Sequence, residues 1–170
     1  MMRGVLEQGQ TEGSRLAELY RRHAGDGVRL AYLITGDRAL AEDVVQDAFV
    51  RLAGRLHHLR DPENLEPYLR RTIVNLANAH FRRRKVERRY LERQAALPQP
   101  IRSEPDISER DAVWAVLRAL PVRQRTAIVL RFFQDLSEAQ TAEVMRCRPG
   151  TVKSLVSRGM DKLRPVMAGE

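Results

Sequence analysis

The chain has 170 residues, 43% of them hydrophobic, which is enough for one ordinary domain or for two small ones that each bury a core. Thirty Lys and Arg residues against 22 Asp and Glu leave a net charge of +8, and a field of that sign favours a polyanionic partner such as nucleic acid. The sequence has no apolar run near the ~20 residues that cross a bilayer, no apolar core of a secretion signal and only one cysteine, so it predicts a cytoplasmic protein without membrane insertion or internal disulfide.

The first predicted helical region extends from Leu16 to Ile34, where apolar residues recur at a spacing of three and four. It is either one long helix or two helices interrupted near Gly25 and Gly27. The helix is predicted to end before Asp37, an aspartate in the N-cap position of a second helix. That second helix carries an apolar stripe made of Ala41, Val44, Val45, Ala48, Phe49, Leu52 and Leu56.

A turn at residues 61–64 precedes a third predicted helix, which runs into the basic stretch "FRRRKVERR". Its apolar positions are Leu65, Leu69, Ile73, Leu76 and Ala77. Residues 91–108 then contain three prolines and no periodicity, which is typical of a flexible linker.

Four further helices are predicted after the linker. The first is short, and Pro121 suits the first turn of the next, whose stripe includes Ile128, Val129 and Phe132. Ser137 is the predicted N-cap of the third, which is followed by a turn and a last, basic helix. With no strand-like alternation, the sequence predicts an all-α protein of two small helical domains, residues 12–90 and 109–166, the second containing a helix-turn-helix.

The last helix is predicted to have two unlike faces, because successive residues of an α-helix are about 100° apart. The packing face consists of Val152, Leu155, Val156, Gly159 and Leu163. The outer face consists of Lys153, Ser154, Ser157 and Arg164, with Arg158 on its flank and Thr151 near the helix start. Such side chains suit base edges and phosphates, although a solvated face on a terminal helix would have the same composition.

The second helix contains the acidic stretch "AEDVVQD", in which Asp43 and Asp47 share a face and Gln46 lies beside them. Paired carboxylates can serve acid–base catalysis, but the sequence offers no partner histidine, second acidic cluster or nucleophile. It also lacks G-x-x-x-x-G-K-[ST], G-x-S-x-G, H-E-x-x-H and clustered His or Cys spacing. The residues therefore predict a solvated acidic face, and no enzyme activity, metal or cofactor.

The segment from Leu117 to Arg164 resembles region 4 of the extracytoplasmic-function sigma factors of bacterial RNA polymerase. The motifs that carry the resemblance are "LRALPVRQR", "LSEAQTAEV" and "GTVKSLVSR". The resemblance implies that Lys153, Ser154, Ser157 and Arg158 contact the −35 promoter element. Thr151, at the helix start, could cap the helix or contact a phosphate. Three places depart from the family pattern: Gln140-Thr141 replaces Glu-Ile, Leu155 replaces a common Arg, and Gly159 replaces the usual Ala.

The stretch "AEDVVQDAF" resembles region 2 of the same family, which implies that Asp43, Gln46 and Asp47 contact the clamp of the largest subunit of core RNA polymerase. The following "YLRRTIVNLANAHFRRRK" resembles the segment that binds the −10 element and holds melted bases. The resemblance places Asn75 and Arg82 on the DNA there, and the charges of Arg71 and Arg83 can neutralise phosphates beside them. Tyr68 and Phe81 could stack on a base, but both are predicted to be core residues first.

These resemblances identify the chain as a member of the extracytoplasmic-function sigma factors. Its sequence is most similar to that of the actinobacterial sigma-E-like group. The expected function is promoter-specific transcription initiation with core RNA polymerase and promoter DNA as partners. Family members are commonly held inactive by an anti-sigma factor, and the linker would permit such a partner to clamp both domains. The alternatives are a stand-alone helix-turn-helix regulator, which would not need the acidic helix, and a basic all-α nucleic-acid-processing enzyme.

Overall fold

The computed structural model describes residues 2–55, 65–94 and 109–168, and these residues form helices with no strand among them. The helices are α1 (Met2–Thr35), α2 (Arg38–Ala53), α3 (Glu66–Gln94), α4 (Glu109–Ala119), α5 (Val122–Ile128), α6 (Glu138–Met145) and α7 (Pro149–Met167). The all-α prediction is confirmed. The predicted turn at residues 61–64 and residues 95–108 of the predicted linker lie outside the described residues, whereas residues 91–94 continue α3.

The chain divides into two compact units, Met1–Ile73 and Val74–Glu170, so α3 begins in the first unit and ends in the second. In the first unit α1 runs without interruption through both of the glycines at which the sequence left a break open. Gly27 is buried, and a Cβ atom there would lie 3.1 Å from Ile73 Cδ1 and 3.3 Å from Val45 Cγ2. The missing side chain thus allows α1, α2 and the start of α3 to pack closely.

The junction between α1 and α2 follows the sequence prediction. Gly36 has φ 71°, a left-handed conformation that costs glycine little. The side chain of Asp37 then accepts a hydrogen bond from Leu40 N at 3.0 Å and caps α2. The buried face of α2 consists of Ala41, Val44, Val45, Ala48, Phe49 and Leu52, and the predicted Leu56 lies outside the described residues.

The second unit has its core between α4, α5 and α7, where Leu120, Ile128 and Leu163 are buried. Gly159 on α7 is buried too, and a Cβ atom there would overlap the side chain of Ile128. The glycine that replaces the family's alanine therefore brings α7 close to α5.

One predicted core position is wrong. Phe132 was placed in the buried stripe with Ile128 and Val129, but 57% of its surface is exposed. The cause is a π-helical turn, Val129–Phe133, which continues α5 and in which Gln134 N donates to Val129 O at 3.1 Å. Because i→i+5 bonding accommodates more residues per turn than an α-helix, the residues that follow rotate away from the predicted face.

A buried arginine was not anticipated from the sequence. Arg125 on α5 is 4% exposed and donates from Nη1 to the carbonyl of Arg118 near the end of α4 at 3.0 Å. Its guanidinium lies 5.5 Å from the ring centroid of Phe81, on the part of α3 that belongs to this unit. Burial, and secondarily the charge of Arg118, lower the pKa of Arg125 to about 10. The cation therefore serves as a packing group that satisfies a free carbonyl at a helix end.

Helix α6 begins with a complete capping box. Ser137 Oγ accepts from Gln140 N at 3.1 Å, and Gln140 Oε1 accepts from Ser137 N at 2.8 Å. Glutamine and glutamate can both serve at N3 of a capping box, so this departure from the family pattern removes a charge and retains an acceptor for Ser137 N. The predicted N-cap at Ser137 is confirmed.

We expect Gln140→Ala to lower the free energy of unfolding by about 0.5–1 kcal/mol, because Ser137 N loses its acceptor at the helix start. Gln140→Glu keeps an acceptor in the same place and should lie within about 0.3 kcal/mol of the parent protein. Urea denaturation followed by circular dichroism measures both. Equal losses in the two variants would contradict the capping role.

Candidate functional site

An exposed row on α2 combines carboxylates with an apolar side chain. Asp43, Gln46 and Asp47 are exposed, and Val50 is 71% exposed. At about 100° per residue these four positions lie within about 100° of arc, opposite the buried face of α2. We call them the acidic row. Glu42 lies outside it and pairs with Arg38 at 3.1 Å.

The structure adds Val50 to the three residues that the sequence predicted. The sequence pattern does not distinguish Val50 from the buried valines of the same helix, and its outward position is shown by its exposure and by its place around the helix, between Gln46 and Asp43. A row that presents carboxylates around an exposed apolar side chain suits a basic protein surface that can also bury a methyl group.

The predicted DNA residues on α3 differ in exposure. Arg82 and Arg83 are exposed, whereas Arg71 and Asn75 are half-buried. Asn75 and Arg82 are separated by seven residues and lie within about 20° on the helix, so they share a line along its surface. Tyr68 is half-buried at about the same angle. An amide that can donate and accept, followed by guanidinium groups, can bind both a base edge and the phosphates beside it.

The side chain of Phe81 packs against residues of the second unit. It lies half-buried under the Arg125 guanidinium, and its ring centroid is 5.9 Å from that of His80 in an edge-to-face arrangement. Next to it, Asn78 Oδ1 accepts from Thr126 Oγ1 at 3.4 Å. These contacts hold one side of α3 against α5, whereas Asn75 and Arg82 lie on another side of the helix.

Helix α7 has the two faces predicted for it. Val152, Gly159 and Leu163 are buried and Leu155 and Val156 are half-buried. Lys153, Ser154, Ser157 and Arg158 are exposed, and Thr151 is half-buried.

The exposed face of α7 is ordered by the helix itself. Ser154 Oγ donates to Gly150 O at 2.9 Å, and Arg158 Nε donates to Ser154 O at 3.3 Å. The helix starts directly after Arg148, with Pro149 in its first turn. Arg158 therefore extends from a rigid helix with further N–H donors free to meet an acceptor.

The preceding turn sets the angle between α6 and α7. Arg146 ends α6 with φ 51°, in the left-handed conformation, and Cys147 N donates to Ala142 O at 3.0 Å. This closes α6 within three residues of α7 and gives the two helices the compact connection of a helix-turn-helix.

Neither a metal centre nor a membrane span emerges from the part of the chain that the structure describes. Within residues 2–55, 65–94 and 109–168, no three His, Cys, Asp or Glu side chains are grouped as metal ligands. No helix in those ranges is long and apolar enough to cross a bilayer.

Comparison with known proteins gives a consistent set of relatives. Residues 19–87 match the family model for sigma-70 region 2, and residues 110–163 match the model for sigma-70 region 4. The chain is 32% identical over 148 residues to an RNA polymerase sigma-E factor of Streptomyces coelicolor, covering 86% of this chain and 83% of that protein. It is 33% identical over 152 residues to the sigma-E factor of Streptomyces avermitilis, covering 86% and 82%.

Solved structures show the same fold. The sigma factor RpoE of Bartonella quintana, determined in complex with the anti-sigma factor NepR, matches with a TM-score of 0.68 and 21% identity, over 89% of this chain and 96% of that one. CnrH, determined in complex with the cytosolic domain of CnrY, matches with a TM-score of 0.61 and 23% identity, over 91% and 88%.

Proposed function

Because the chain belongs to the sigma-70 family of RNA polymerase sigma factors, in the extracytoplasmic-function group that is similar to sigma-E, we propose that it binds core RNA polymerase and directs it to promoters with separate −10 and −35 elements. The observation that carries the proposal is the presence in one chain of an exposed acidic row on α2 and exposed basic faces on α3 and α7. A protein that must bind both a protein and DNA needs surfaces of both signs.

The acidic row is the proposed polymerase contact. Asp43, Gln46 and Asp47 are exposed on one side of α2 and occupy the positions that the family pattern assigns to the clamp. A stand-alone DNA-binding regulator would have no use for this row, so the row favours the sigma factor over that alternative.

The DNA contacts are proposed on two helices. Asn75, with Arg71, Arg82 and Arg83 around it, would bind the −10 element and its melted strand. On α7, Lys153, Ser154, Ser157 and Arg158 would read the −35 element from the major groove, with Thr151 on a phosphate near the helix start.

We also propose where the protein acts, that it is not an enzyme, and which further partner it binds. The protein would act in the cytoplasm, where its polymerase and promoters are, and would have no catalytic activity of its own. An anti-sigma factor is a further proposed partner, since RpoE and CnrH were both determined in complexes and the first of these partners is named as an anti-sigma factor. Such a partner should prevent the association with core RNA polymerase in a competition experiment.

The test is reconstitution. We expect the purified chain to co-migrate with bacterial core RNA polymerase in size-exclusion chromatography. The resulting holoenzyme should then select, from a random-sequence duplex library, DNA with two short conserved blocks at a fixed separation. Failure to associate with core would refute the proposal, and selection of a single block without core would favour the stand-alone regulator.

A further inference from the structure

The exposed surface of α3 continues well past the residues proposed for the −10 element. Val86 is 67% exposed and Tyr90 is 64% exposed, although both are apolar enough to be expected in a core. Counted from Asn75, positions 82, 86 and 90 follow at intervals of seven, four and four residues. At about 100° per residue, all four lie within about 80° of arc. We call Asn75, Arg82, Val86 and Tyr90 the α3 stripe.

The α3 stripe is distinct from the side of the helix that packs in the second unit. Asn78 bonds to Thr126, and Phe81 lies under Arg125. Both positions are turned by about 60° or more from Asn75. The exposure of Val86 and Tyr90 therefore does not come from a missing partner on the side that faces α5.

The surroundings of the stripe are strongly basic. Arg82, Arg83, Arg84 and Lys85 are all exposed, with Glu87 the nearest carboxylate in the sequence. Cations at this density attract phosphates, and they would repel a basic protein surface. Apolar and aromatic side chains among such cations can contact sugars, base edges and the methyl group of thymine.

We propose that the α3 stripe extends the DNA site, and that Val86 and Tyr90 contact duplex DNA directly upstream of the −10 element. This inference rests on the proposed function, which puts Asn75 on the melted strand. Fifteen residues separate Asn75 from Tyr90, which is about 22 Å along a helix. At about 3.4 Å per base pair, the far end of the stripe reaches about six base pairs from the base at Asn75.

The test uses the reconstituted holoenzyme and two DNA probes made from a promoter that it selects. One probe carries the −10 element with ten base pairs of duplex upstream, and the other ends at the upstream edge of the element. We expect Val86→Ala/Tyr90→Ala to weaken binding to the long probe by about tenfold, with the short probe bound as by the parent protein.

Two further variants separate a DNA contact from a loss of structure. Tyr90→Phe keeps the aromatic ring and should bind both probes within about twofold of the parent. Met167→Ala removes another exposed apolar side chain, 61% exposed at the end of α7, and should change neither affinity. Circular dichroism and the affinity for core show whether each variant is folded and competent.

The outcomes are distinguishable. Equal binding of parent and double variant to the long probe would overturn the inference while the sigma function stands. A loss of affinity for core would assign the stripe to the polymerase, and would also overturn it. Failure of the parent protein itself to bind core or either probe would instead refute the proposed function.

Discussion

Asp43→Arg is expected to abolish the binding of this protein to core RNA polymerase. The substitution reverses a charge at the N-terminal end of the acidic row and puts a guanidinium four residues from Asp47, which it can bind in place of the polymerase. Reversing a charge at a complementary interface costs about 2–5 kcal/mol, which lowers affinity by about 30-fold to several thousand-fold. The affinity is measured with fluorescently labelled protein titrated with core.

Asp43 is exposed on the surface of α2, so its replacement should leave the helix and its buried face intact. The matched control is Glu42→Arg, which makes the same charge change one residue earlier. Glu42 lies outside the acidic row and pairs with Arg38, an exposed pair of little energetic value. The Glu42→Arg variant should bind core RNA polymerase less than about fivefold more weakly than the parent protein. Wild-type affinity in Asp43→Arg would show that the row is not the polymerase contact.

Arg158→Ala is expected to weaken recognition of the −35 element by about 5- to 150-fold. A bidentate arginine contact to guanine contributes about 1–3 kcal/mol of discrimination, and Arg158 is exposed on a helix whose other face is buried. The expected signature is loss of sequence preference at one or two positions of the −35 block, with unchanged affinity for core. Selection from the random library with the variant holoenzyme measures it.

Lys162→Ala provides the control for this second prediction. Lys162 is also exposed on α7 but lies one turn beyond Arg158, away from the start of the helix. Its loss should reduce affinity uniformly across sequences, and by less than about threefold. If Arg158→Ala also reduced affinity uniformly, the residue would contact the backbone and would not read bases.

The faces of α2 and α7 could be predicted from sequence because the apolar residues of each helix recur with the helical period and each helix has a recognisable start. Asp37 is a short polar residue directly before an apolar repeat and forms the capping bond of α2 that its position predicts. Pro149 lies in the first turn of α7, where proline is favoured. Once the helix start is fixed, the 3.6-residue period determines which side of Asp43 or Arg158 is exposed.

Other features depend on tertiary contacts that no local pattern encodes. Phe132 turns outward because a π-helical turn shifts the register after Val129, and the apolar spacing contains no signal for i→i+5 bonding. Arg125 is buried against a residue 44 positions away in sequence, Phe81. Charged side chains are seldom buried, so the burial of Arg125 can be recognised only when the residues that pack around it are known.

The exposure of Val50, Val86 and Tyr90 belongs to the same class. Each lies on a helix whose period is clear, but a valine or tyrosine at the edge of an apolar stripe is compatible with either side. The roles of Asn75, Lys153 and the other proposed contacts came from the family pattern, and they stay predictions until they are measured.

The sharing of α3 between two compact units affects how the protein can be taken apart. Its distal half supplies the ring beneath Arg125 and the amide that accepts from Thr126, so a fragment beginning at Glu109 would lack part of its own interior. The family models divide the chain into region 2 and region 4, whereas the contacts of Asn78 and Phe81 with α5 cross that division. A helix-turn-helix expressed alone would therefore expose to water the part of α5 that α3 covers in the intact chain. Its stability and its DNA affinity would not be a measure of those of the intact subunit.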